Sequence, residues 1–529
     1  MRKWIRGLRM TEVGRTEGRK DGRVGANRPA LPLRHGLTLG ALLAVSVLPS
    51  FRPSVHAQSA KRLDALLDAE PFRHAIWGVA LVDERGRLLY GRNADRMMIP
   101  ASNTKLVVTA VAAALLPPEF TVNTSVYGTG PVVDGVLRGD LVLYGRGDPA
   151  FGVRCYAIDT MASGACERDP AAPLRKLVDG LRARGVRSVE GGIVGDGSYF
   201  ETTIVHPAWD WFDTFWWYAA PVSGLTLNDN SVDIKWAPGP AVGAPASISI
   251  WPDYHGFTFE NRTRTVEAEG ETDIGDRIWR HPGTMNAWAE GTVALGHRGG
   301  TDYFAVPDPN LFAARALRSL LAEAGIAVTG ETRSTTDSLA YAHARSTAPL
   351  AEVASRPLRD WIFPILNTSQ NLYAEVLLKQ LGKQFGAAGS WQEGIKVERR
   401  FLIDSVGVDS AQFAVYDGSG LASENLVSPL AFTQVLRYMR NHPRFATFIA
   451  GMPQSGKRGS LRTRFIGTPL EGRVMAKTGS ISRVNTLSGY IDTPNGRRLT
   501  FSVQANHHTA GGRAALARID SIVVEMGRR

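Results

Sequence analysis

Cysteine is scarce in this 529-residue sequence, which contains only Cys155 and Cys166. Two thiols cannot build a disulfide-rich scaffold, and no further cysteine or nearby histidine completes a zinc site. We therefore expect no metal ion, and nothing in the sequence indicates a cofactor. In an oxidising compartment the two cysteines, with ten residues between them, are predicted to form one disulfide. Two unpaired thiols are the alternative.

Long apolar runs are also missing. The run Gly36–Leu48 has thirteen residues, whereas a helix that crosses a bilayer needs roughly 20. Basic residues precede it, and Val55-His56-Ala57 beyond it has small residues at the spacing of a cleavage site. The pattern predicts a secretory signal in residues 1–57, a mature chain from near Gln58, and a periplasmic or cell-envelope location. The alternative is an uncleaved anchor, which would associate the protein weakly with a membrane.

Excess charge is scarce once this leader is set aside. The full chain carries a net charge of +11, but residues 1–57 contain eleven basic and three acidic residues, which leaves about +3 for the remainder. A nearly neutral mature protein gives no reason to expect a nucleic-acid partner.

Regular apolar patterns lie mainly at the two ends of the mature chain. In chain order they predict helix 59–67, strands 74–82 and 87–90, a helix of about fifteen residues between Pro100 and Pro117, helices 309–325, 371–381, 390–406 and 430–442, strands 473–476, 486–491 and 499–504, and helix 512–526. Both ends together would form one antiparallel sheet flanked by helices, an α+β fold, with the middle of the chain inserted.

The middle of the chain, from about residue 119 to residue 330, is rich in Gly, Pro, Trp, Asp and Asn. It predicts β-rich inserted domains, with short strand-like runs at 141–144, 188–194, 231–236 and 246–251. We interpret the aromatic run Trp209–Tyr218 as core of the insertion and His507-His508 as structural.

Ser102 and Lys105 lie three residues apart at the start of a predicted helix that is bracketed by prolines. Residues at this spacing share a helix face, so the Lys105 amine would lie beside the Ser102 hydroxyl. A serine hydroxyl needs a base to act as a nucleophile, and a lysine can serve if burial lowers its pKa. Among eleven lysines only Lys105 has a serine three positions before it. A capping serine with a surface lysine is the alternative.

Two further motifs are candidates for the same site. Lys477-Thr478-Gly479 follows an apolar run and would present a positive charge and a hydroxyl from a strand, while Gly479 would allow a substrate backbone to approach closely. A Ser-x-Asn occurs twice, at Ser369–Asn371 before a helix and at Ser423–Asn425 in a glycine-rich loop. Residue type alone does not separate the two.

The order S-x-x-K, S-x-N, K-T-G resembles the signature of penicillin-recognising serine enzymes. The sequence is similar to low-molecular-mass class C penicillin-binding proteins, which are D-alanyl-D-alanine carboxypeptidases and endopeptidases. Further segments that carry the resemblance are 145–149, 195–200, 220–225, 371–375 and 417–421. The wide spacing between Ser102 and Ser369 fits the large insertions of this class, and the helix context selects Ser369–Asn371 as the Ser-x-Asn motif.

The resemblance implies a role for each residue. Ser102 would be the acylated nucleophile and Lys105 its general base, and Ser369 would relay a proton to the leaving amine. The remaining positions would bind substrate: the Asn371 side chain would contact the substrate amide, Lys477, Thr478 and Gly479 would hold its terminal carboxylate, and the backbone N–H groups of Ser102 and Ser480 would form the oxyanion hole.

The resemblance also implies an architecture and a function. Residues 58–118 and 335–529 would form a β-lactamase/transpeptidase-like domain, 119–195 and 295–334 a first inserted domain, and 196–294 a second, β-rich one. We expect a serine-type carboxypeptidase that acts on peptidoglycan stem peptides, is acylated by β-lactams and hydrolyses the β-lactam adduct slowly; whether it is also an endopeptidase is left open by the sequence. The alternatives are a β-lactamase or esterase of the same fold and a catalytically idle peptidoglycan-binding protein.

Overall fold

The computed structural model describes residues 55–152 and 169–528. The predicted leader up to residue 54, Cys155 and Cys166 lie outside the described residues. In the described parts, no helix is both long and apolar enough to cross a membrane.

The described helices and strands are numbered in chain order. The α-helices are α1 (Val55–Asp68), α2 (Lys105–Leu115), α3 (Ala172–Ala183), α4 (Pro309–Glu323), α5 (Ala342–Arg345), α6 (Leu358–Asn367), α7 (Asn371–Phe385), α8 (Trp391–Arg400), α9 (Pro429–Arg440), α10 (Phe445–Ala450) and α11 (Gly512–Met526). The strands are β1 (Ile76–Val82), β2 (Leu88–Arg92), β3 (Asn123–Gly128), β4 (Val132–Val133), β5 (Val136–Leu137), β6 (Leu141–Tyr144), β7 (Ser188–Val189), β8 (Ile193–Asp196), β9 (Ser231–Ala237), β10 (Ser247–Trp251), β11 (Thr258–Val266), β12 (Ile278–Arg280), β13 (Asn286–Ala294), β14 (Gly300–Ala305), β15 (Ala327–Val328), β16 (Thr332–Thr335), β17 (Ala351–Ala354), β18 (Phe413–Ala414), β19 (Leu426–Val427), β20 (Val474–Ile481), β21 (Val484–Asp492) and β22 (Arg498–Asn506).

Both ends of the chain build one antiparallel sheet, as the patterning predicts. Its strand order is β2-β1-β22-β21-β20, so the first hairpin pairs with the last strand. One face packs on α1 and α11 through a core that includes Leu63, Phe501 and Ile519. The other face packs on α9, where the buried Tyr490 hydroxyl donates to the Leu436 carbonyl over 2.6 Å. Because both faces are covered, β21 and β22 are each buried at every position but one.

A second core lies among helices α2, α6, α7 and α9. Helix α2 is buried along most of its length, so it is apolar all round rather than amphipathic. It ends where Leu116 turns extended before Pro117, which is the conformation that a following proline favours. The predicted helix 390–406 forms as α8 followed by a π-helical turn, Phe401–Val406, which ends at Gly407.

Residues 123–354, called the insert below, form their own sheets between α2 and α6. One sheet has the order β16-β8-β6-β3-β17 and another the order β15-β7-β5-β4, and helices α3 and α4 share their core. The sheets β10-β9-β14 and β11-β13-β12 follow. The predicted domain boundaries stay a prediction. One pairing bears on the boundary at residue 334, because strand β17 (Ala351–Ala354), which follows it, pairs with β3 of the insert.

One predicted strand is wrong. The run 188–194 is not a single strand but two, β7 and β8, in different sheets. Gly191 and Gly192 separate them, where a Cβ atom would lie 2.5 Å from Gly139 and 2.0 Å from the Glu331 carbonyl. At these two glycines the chain passes close to the backbone of Gly139 and Glu331, and β7 ends before them and β8 begins after them.

Candidate active site

Ser102 lies in a short turn and not on the α-helix itself. The turn Ala101–Thr104 is 3₁₀-helical, and α2 begins at Lys105. The predicted helix start is therefore wrong by one turn, because Ala101 adopts a left-handed backbone with φ 47° and tightens the entry. The predicted neighbour relation is nevertheless present, since the Lys105 Nζ lies 2.9 Å from the Ser102 Oγ.

The Ser102 turn is fastened to the central sheet. Thr486 on β21 donates its hydroxyl to the Pro100 carbonyl over 2.9 Å. Asn103 donates to the Ser488 hydroxyl over 2.7 Å, and Ser488 is in turn 2.8 Å from Ser502 on β22. These bonds fix the turn before any substrate is present, so the position of the Ser102 hydroxyl is set by the sheet.

The Lys105 amine has three oxygen neighbours. Asn371 Oδ1 lies at 2.6 Å and the Ser419 carbonyl at 2.7 Å, in addition to Ser102 Oγ. A neutral amine has two N–H donors and one lone pair. The two carbonyl-type oxygens can only accept, so they take both hydrogens and leave the lone pair for the Ser102 hydroxyl proton.

Burial tunes Lys105 for this purpose. Its side chain is fully buried, and loss of hydration lowers its pKa to about 7, although the negative charges of Glu375 and Asp417 oppose the shift. An ordinary lysine, with a pKa near 10.4, would be protonated at neutral pH. Lys105 is therefore present in its neutral form in a substantial fraction of molecules.

Glu375 and Asp417 are buried carboxyl groups that sequence reasoning did not single out. Glu375 accepts from the indole of Trp391 (2.7 Å) and from the backbone N–H of Gly418 (3.0 Å) and Ser419 (2.7 Å). Burial raises the pKa of Glu375. These bonds fix the loop that presents the Ser419 carbonyl to Lys105. The signal was the pair of segments 371–375 and 417–421, which entered only as part of the family resemblance.

Asp417 organises the same loop and receives a residue from the insert. It accepts from the backbone of Gly420 and Ala422, each over 2.7 Å, and from the Trp209 indole over 3.0 Å. Trp209 is buried, but it packs in the core among helices α2, α6, α7 and α9 and not in the core of the insert, where Phe215 and Trp216 lie.

Ser369 and Lys477 form the second half of the site. The Lys477 Nζ donates to Ser369 Oγ over 2.9 Å and to the Thr478 carbonyl over 2.6 Å. Ser369 has a left-handed backbone, φ 65°, which is uncommon for serine. Burial and the nearby Lys105 charge hold the pKa of Lys477 well below its usual value.

Asn371 joins the two halves, because it is two residues from Ser369 and contacts Lys105. Its Nδ2 donates to the Tyr218 carbonyl over 2.7 Å, which orients the amide so that Oδ1 faces the Lys105 amine. The other Ser-x-Asn is not part of this constellation. Asn425 is bonded to Asp417 and to its own loop, and Ser423 is exposed.

Thr478, Gly479 and Ser480 lie on edge strand β20. The Thr478 hydroxyl donates to Ser460 over 2.9 Å, and the Ser480 hydroxyl accepts from Asn485 over 2.8 Å. A Cβ on Gly479 would lie 2.3 Å from Thr486 Oγ1, 2.8 Å from the Pro100 carbonyl and 3.0 Å from the Ser102 nitrogen. Packing of the Ser102 turn on β20 is therefore enough to require glycine here, and the close approach of a substrate backbone to Gly479 stays a prediction.

The site thus contains a serine hydroxyl on a buried, substantially neutral lysine, and a second serine on a second buried lysine. Ser102, Ser369, Asn371 and Thr478 are partly exposed and Ser480 is exposed, while both lysines are buried. Such an arrangement can activate an alcohol for acyl transfer, so the fold and the site define an active-serine acyl-transfer enzyme.

Comparison with known proteins gives the family. The model described as "D-Ala-D-Ala carboxypeptidase 3 (S13) family" matches residues 59–526. A D-alanyl-D-alanine carboxypeptidase of Actinomadura sp. (strain R39) is 30% identical over 527 residues, covering 97% of this chain and 92% of that protein. The chain therefore belongs to the S13 family of serine-type D-Ala-D-Ala carboxypeptidases, which confirms the predicted hydrolase class.

Solved structures confirm the predicted fold. Penicillin binding protein 4 (dacB) from Haemophilus influenzae is similar with a TM-score of 0.74 and 23% identity, covering 88% of this chain and 97% of that chain. A second structure of that protein, complexed with a β-lactam, has a TM-score of 0.70 at 20% identity, covering 88% and 98%. The β-lactamase/transpeptidase-like α+β fold with large insertions is thereby established.

Gly479→Ala tests the packing of the nucleophile turn. The added methyl would press on Thr486, Pro100 and Ser102, so we expect kcat/KM on a D-Ala-D-Ala peptide to fall by about 10- to 100-fold, the cost of displacing a reacting group by a fraction of an ångström to about 1 Å. Gly512→Ala is the matched control, because nothing lies within 4 Å of its Cβ position. Unchanged kcat/KM in the Gly479 variant would contradict the packing described.

Proposed function

We propose that the site cleaves the terminal D-Ala from peptidoglycan stem peptides through an acyl-enzyme on Ser102. The Ser102 oxygen attacks the carbonyl of the D-Ala–D-Ala bond, and its proton passes to the Lys105 lone pair. The oxygen of the tetrahedral intermediate lies between the backbone N–H groups of Ser102 and Ser480. Loss of one donor from such a hole costs hydrolases about 2.7–4 kcal/mol of transition-state stabilisation.

Ser369 serves the leaving amine. As the C–N bond breaks, the amine of the departing D-Ala takes the Ser369 hydroxyl proton, and the proton that Lys105 took from Ser102 replaces it on Ser369, so that Lys105 is neutral again. Water then attacks the acyl-enzyme carbonyl and gives its proton to Lys105, and Lys105 passes that proton to the Ser102 oxygen as the ester C–O bond breaks and the shortened peptide leaves. The support is the contact of Ser369 with Lys477 and of Lys105 with Ser102.

Lys477, Thr478 and Asn371 hold the substrate. A buried amine with a lowered pKa regains its charge when an anion comes next to it, because the opposite charge favours the protonated form. Lys477 is therefore suited to a terminal carboxylate, and the Thr478 hydroxyl can donate to the same group. Asn371 would present its amide to the substrate backbone while it orients Lys105.

The single observation that carries the proposal is the set of three oxygens around Lys105 Nζ. Two of them can only accept hydrogen bonds, and the third is the hydroxyl to be deprotonated. This arrangement argues against the catalytically idle alternative. Export to the cell envelope follows from the proposed substrate and from the predicted secretory signal.

β-Lactams carry an amide that resembles the D-Ala–D-Ala bond and would acylate Ser102. Glu375, a buried carboxyl group whose charge acts on Lys105, is already engaged by the Trp391 indole and by the Gly418 and Ser419 backbone. We therefore propose slow hydrolysis of the β-lactam adduct rather than the rapid turnover of a β-lactamase.

Ser102→Ala tests the nucleophile. Wild-type protein should form a stable adduct with a fluorescent penicillin on a denaturing gel, and the variant should form none, because no hydroxyl remains to be acylated. The exposed Ser423→Ala is the control and should label as the wild type does. Labelling of the Ser102 variant would overturn the assignment, and rapid nitrocefin turnover by the wild type would favour the β-lactamase alternative.

The acylation rate should rise with pH through the pKa of Lys105. Only the neutral amine can accept the Ser102 proton, so a pKa of about 7 predicts that the second-order rate constant for penicillin acylation rises about tenfold from pH 6 to pH 8. The measurement is stopped-flow or quench kinetics with the fluorescent penicillin. Lys396→Gln, an exposed lysine, should keep the profile. A rate that is flat or falls over this interval would contradict the assigned base.

A further inference from the structure

Gln370, the middle residue of the Ser-x-Asn motif, is fixed at both its backbone and its side chain. Its backbone N–H donates to the Pro364 carbonyl over 3.1 Å. Its side-chain oxygen accepts from the Leu372 N–H over 3.0 Å and so caps α7. Its side-chain nitrogen donates to Asp229 Oδ2 over 2.9 Å. The side chain is 1% exposed, so water does not replace a lost partner easily.

Asp229 belongs to the insert and sits in an unusual backbone. Asn228, Asp229 and Asn230 all have left-handed φ angles, of 51°, 54° and 53°. Left-handed conformations of residues other than glycine are unfavourable and persist where surrounding contacts impose them. Three in succession mark a segment that the fold holds in place at some conformational cost.

Side-chain bonds of the flanking asparagines hold this segment. Asn230 accepts from the Leu227 N–H over 3.0 Å and donates to the Pro221 carbonyl over 2.8 Å. Asn228 donates to the Ser231 carbonyl over 2.8 Å. The Val306 N–H on the far side donates to the Asn230 carbonyl over 2.9 Å. These bonds fix the backbone around Asp229, and the Asp229 carboxylate faces Gln370.

The residue before Gln370 is Ser369, whose own backbone is left-handed. The direction of the Ser369 hydroxyl depends on that backbone, and the 2.9 Å contact with Lys477 depends on the hydroxyl. The residue after Gln370 is Asn371, which also contacts the insert through the Tyr218 carbonyl. The insert therefore holds two consecutive residues of the motif.

We infer that Asp229 is a positioning residue for the reaction: through Gln370 it holds the Ser369 backbone so that the Ser369 hydroxyl stays on the Lys477 amine. This inference rests on the proposed function, in which Ser369 relays the proton to the leaving group. The insert would then take part in catalysis, because Ser369 is held in position by a contact from the insert as well as by helices α6 and α7.

The test uses variants of the full mature chain with kcat, KM and melting temperature measured for each. Asp229→Ala removes the acceptor and should lower kcat on a D-Ala-D-Ala peptide, and the penicillin acylation rate, by about 10- to 100-fold with KM changed less than about threefold. Asp229→Asn retains an oxygen acceptor at the same place and should remain within about threefold of wild type in kcat. Asp253→Ala, an exposed carboxylate of the insert, is the matched control.

A swapped pair separates positioning from folding. Gln370→Glu keeps the cap on α7 but loses the donor to Asp229 and should lower kcat as Asp229→Ala does. Adding Asp229→Asn to it restores the hydrogen bond with donor and acceptor exchanged, so the double variant should regain kcat to within about threefold of wild type. If Asp229→Ala does not fold, this pair decides the question.

The outcomes are distinguishable. A soluble Asp229→Ala protein with wild-type kcat and acylation rate overturns the inference and leaves the proposed function intact. The same holds if the double variant melts like the wild type but stays as slow as Gln370→Glu. A lower melting temperature with unchanged kcat would show a structural role only and also overturns it. A wild-type protein that is not acylated at all overturns the proposed function and this inference with it.

Discussion

The buried amine of Lys105 is the constraint on which the rest of the site depends. A lysine can act as a base near neutral pH only if its charged form is costly, and full burial supplies that cost. Burial alone would leave the amine hydrogens unsatisfied. The Asn371 and Ser419 oxygens satisfy them, and in doing so they direct the lone pair at Ser102.

The two acceptors, the Asn371 side chain and the Ser419 carbonyl, are each held in place by further hydrogen bonds, and the insert supplies part of both sets. The Asn371 amide is oriented by the Tyr218 carbonyl, and the loop that carries Ser419 is held by Glu375 and Asp417, the latter bonded to Trp209. A buried polar group without a partner is costly, so this hydrogen-bond network is complete only when the insert packs against it and supplies the Tyr218 and Trp209 bonds. The local strain at Ala101 and Ser369 fits this picture, because both residues sit where distant segments impose their conformation.

The sequence predicted the local features well and the long-range support poorly. Ser102 and Lys105 were found by their spacing, and the final helix, Gly512–Met526, agrees residue for residue because glycine precedes it and apolar periodicity runs to its end. The start of α2 was misplaced, since nothing local indicates the left-handed Ala101. Glu375, Asp417 and Asp229 had no independent signal, because a carboxylate among helical or loop residues looks like a surface group until the fold buries it.

Family resemblance was also needed to choose Ser369–Asn371 over Ser423–Asn425, which residue type could not separate. The structure supplies the physical reason for that choice. The Asn371 side chain accepts a hydrogen bond from Lys105, whereas the Asn425 side chain donates to Asp417 within its own loop. Gly479 is constrained by a contact that the sequence does not display, because the Ser102 turn covers the position where a Cβ atom would lie.

The most direct test of the account is an NMR titration of the Lys105 side chain in protein labelled with ¹³C at the lysine Cε. Of the eleven lysines, the Lys105 signal is assigned by its loss in Lys105→Arg. We predict a titration midpoint of about 7 for this signal. A midpoint near the ordinary lysine value of about 10.4 would contradict the claim that Lys105 is the neutral base of this site.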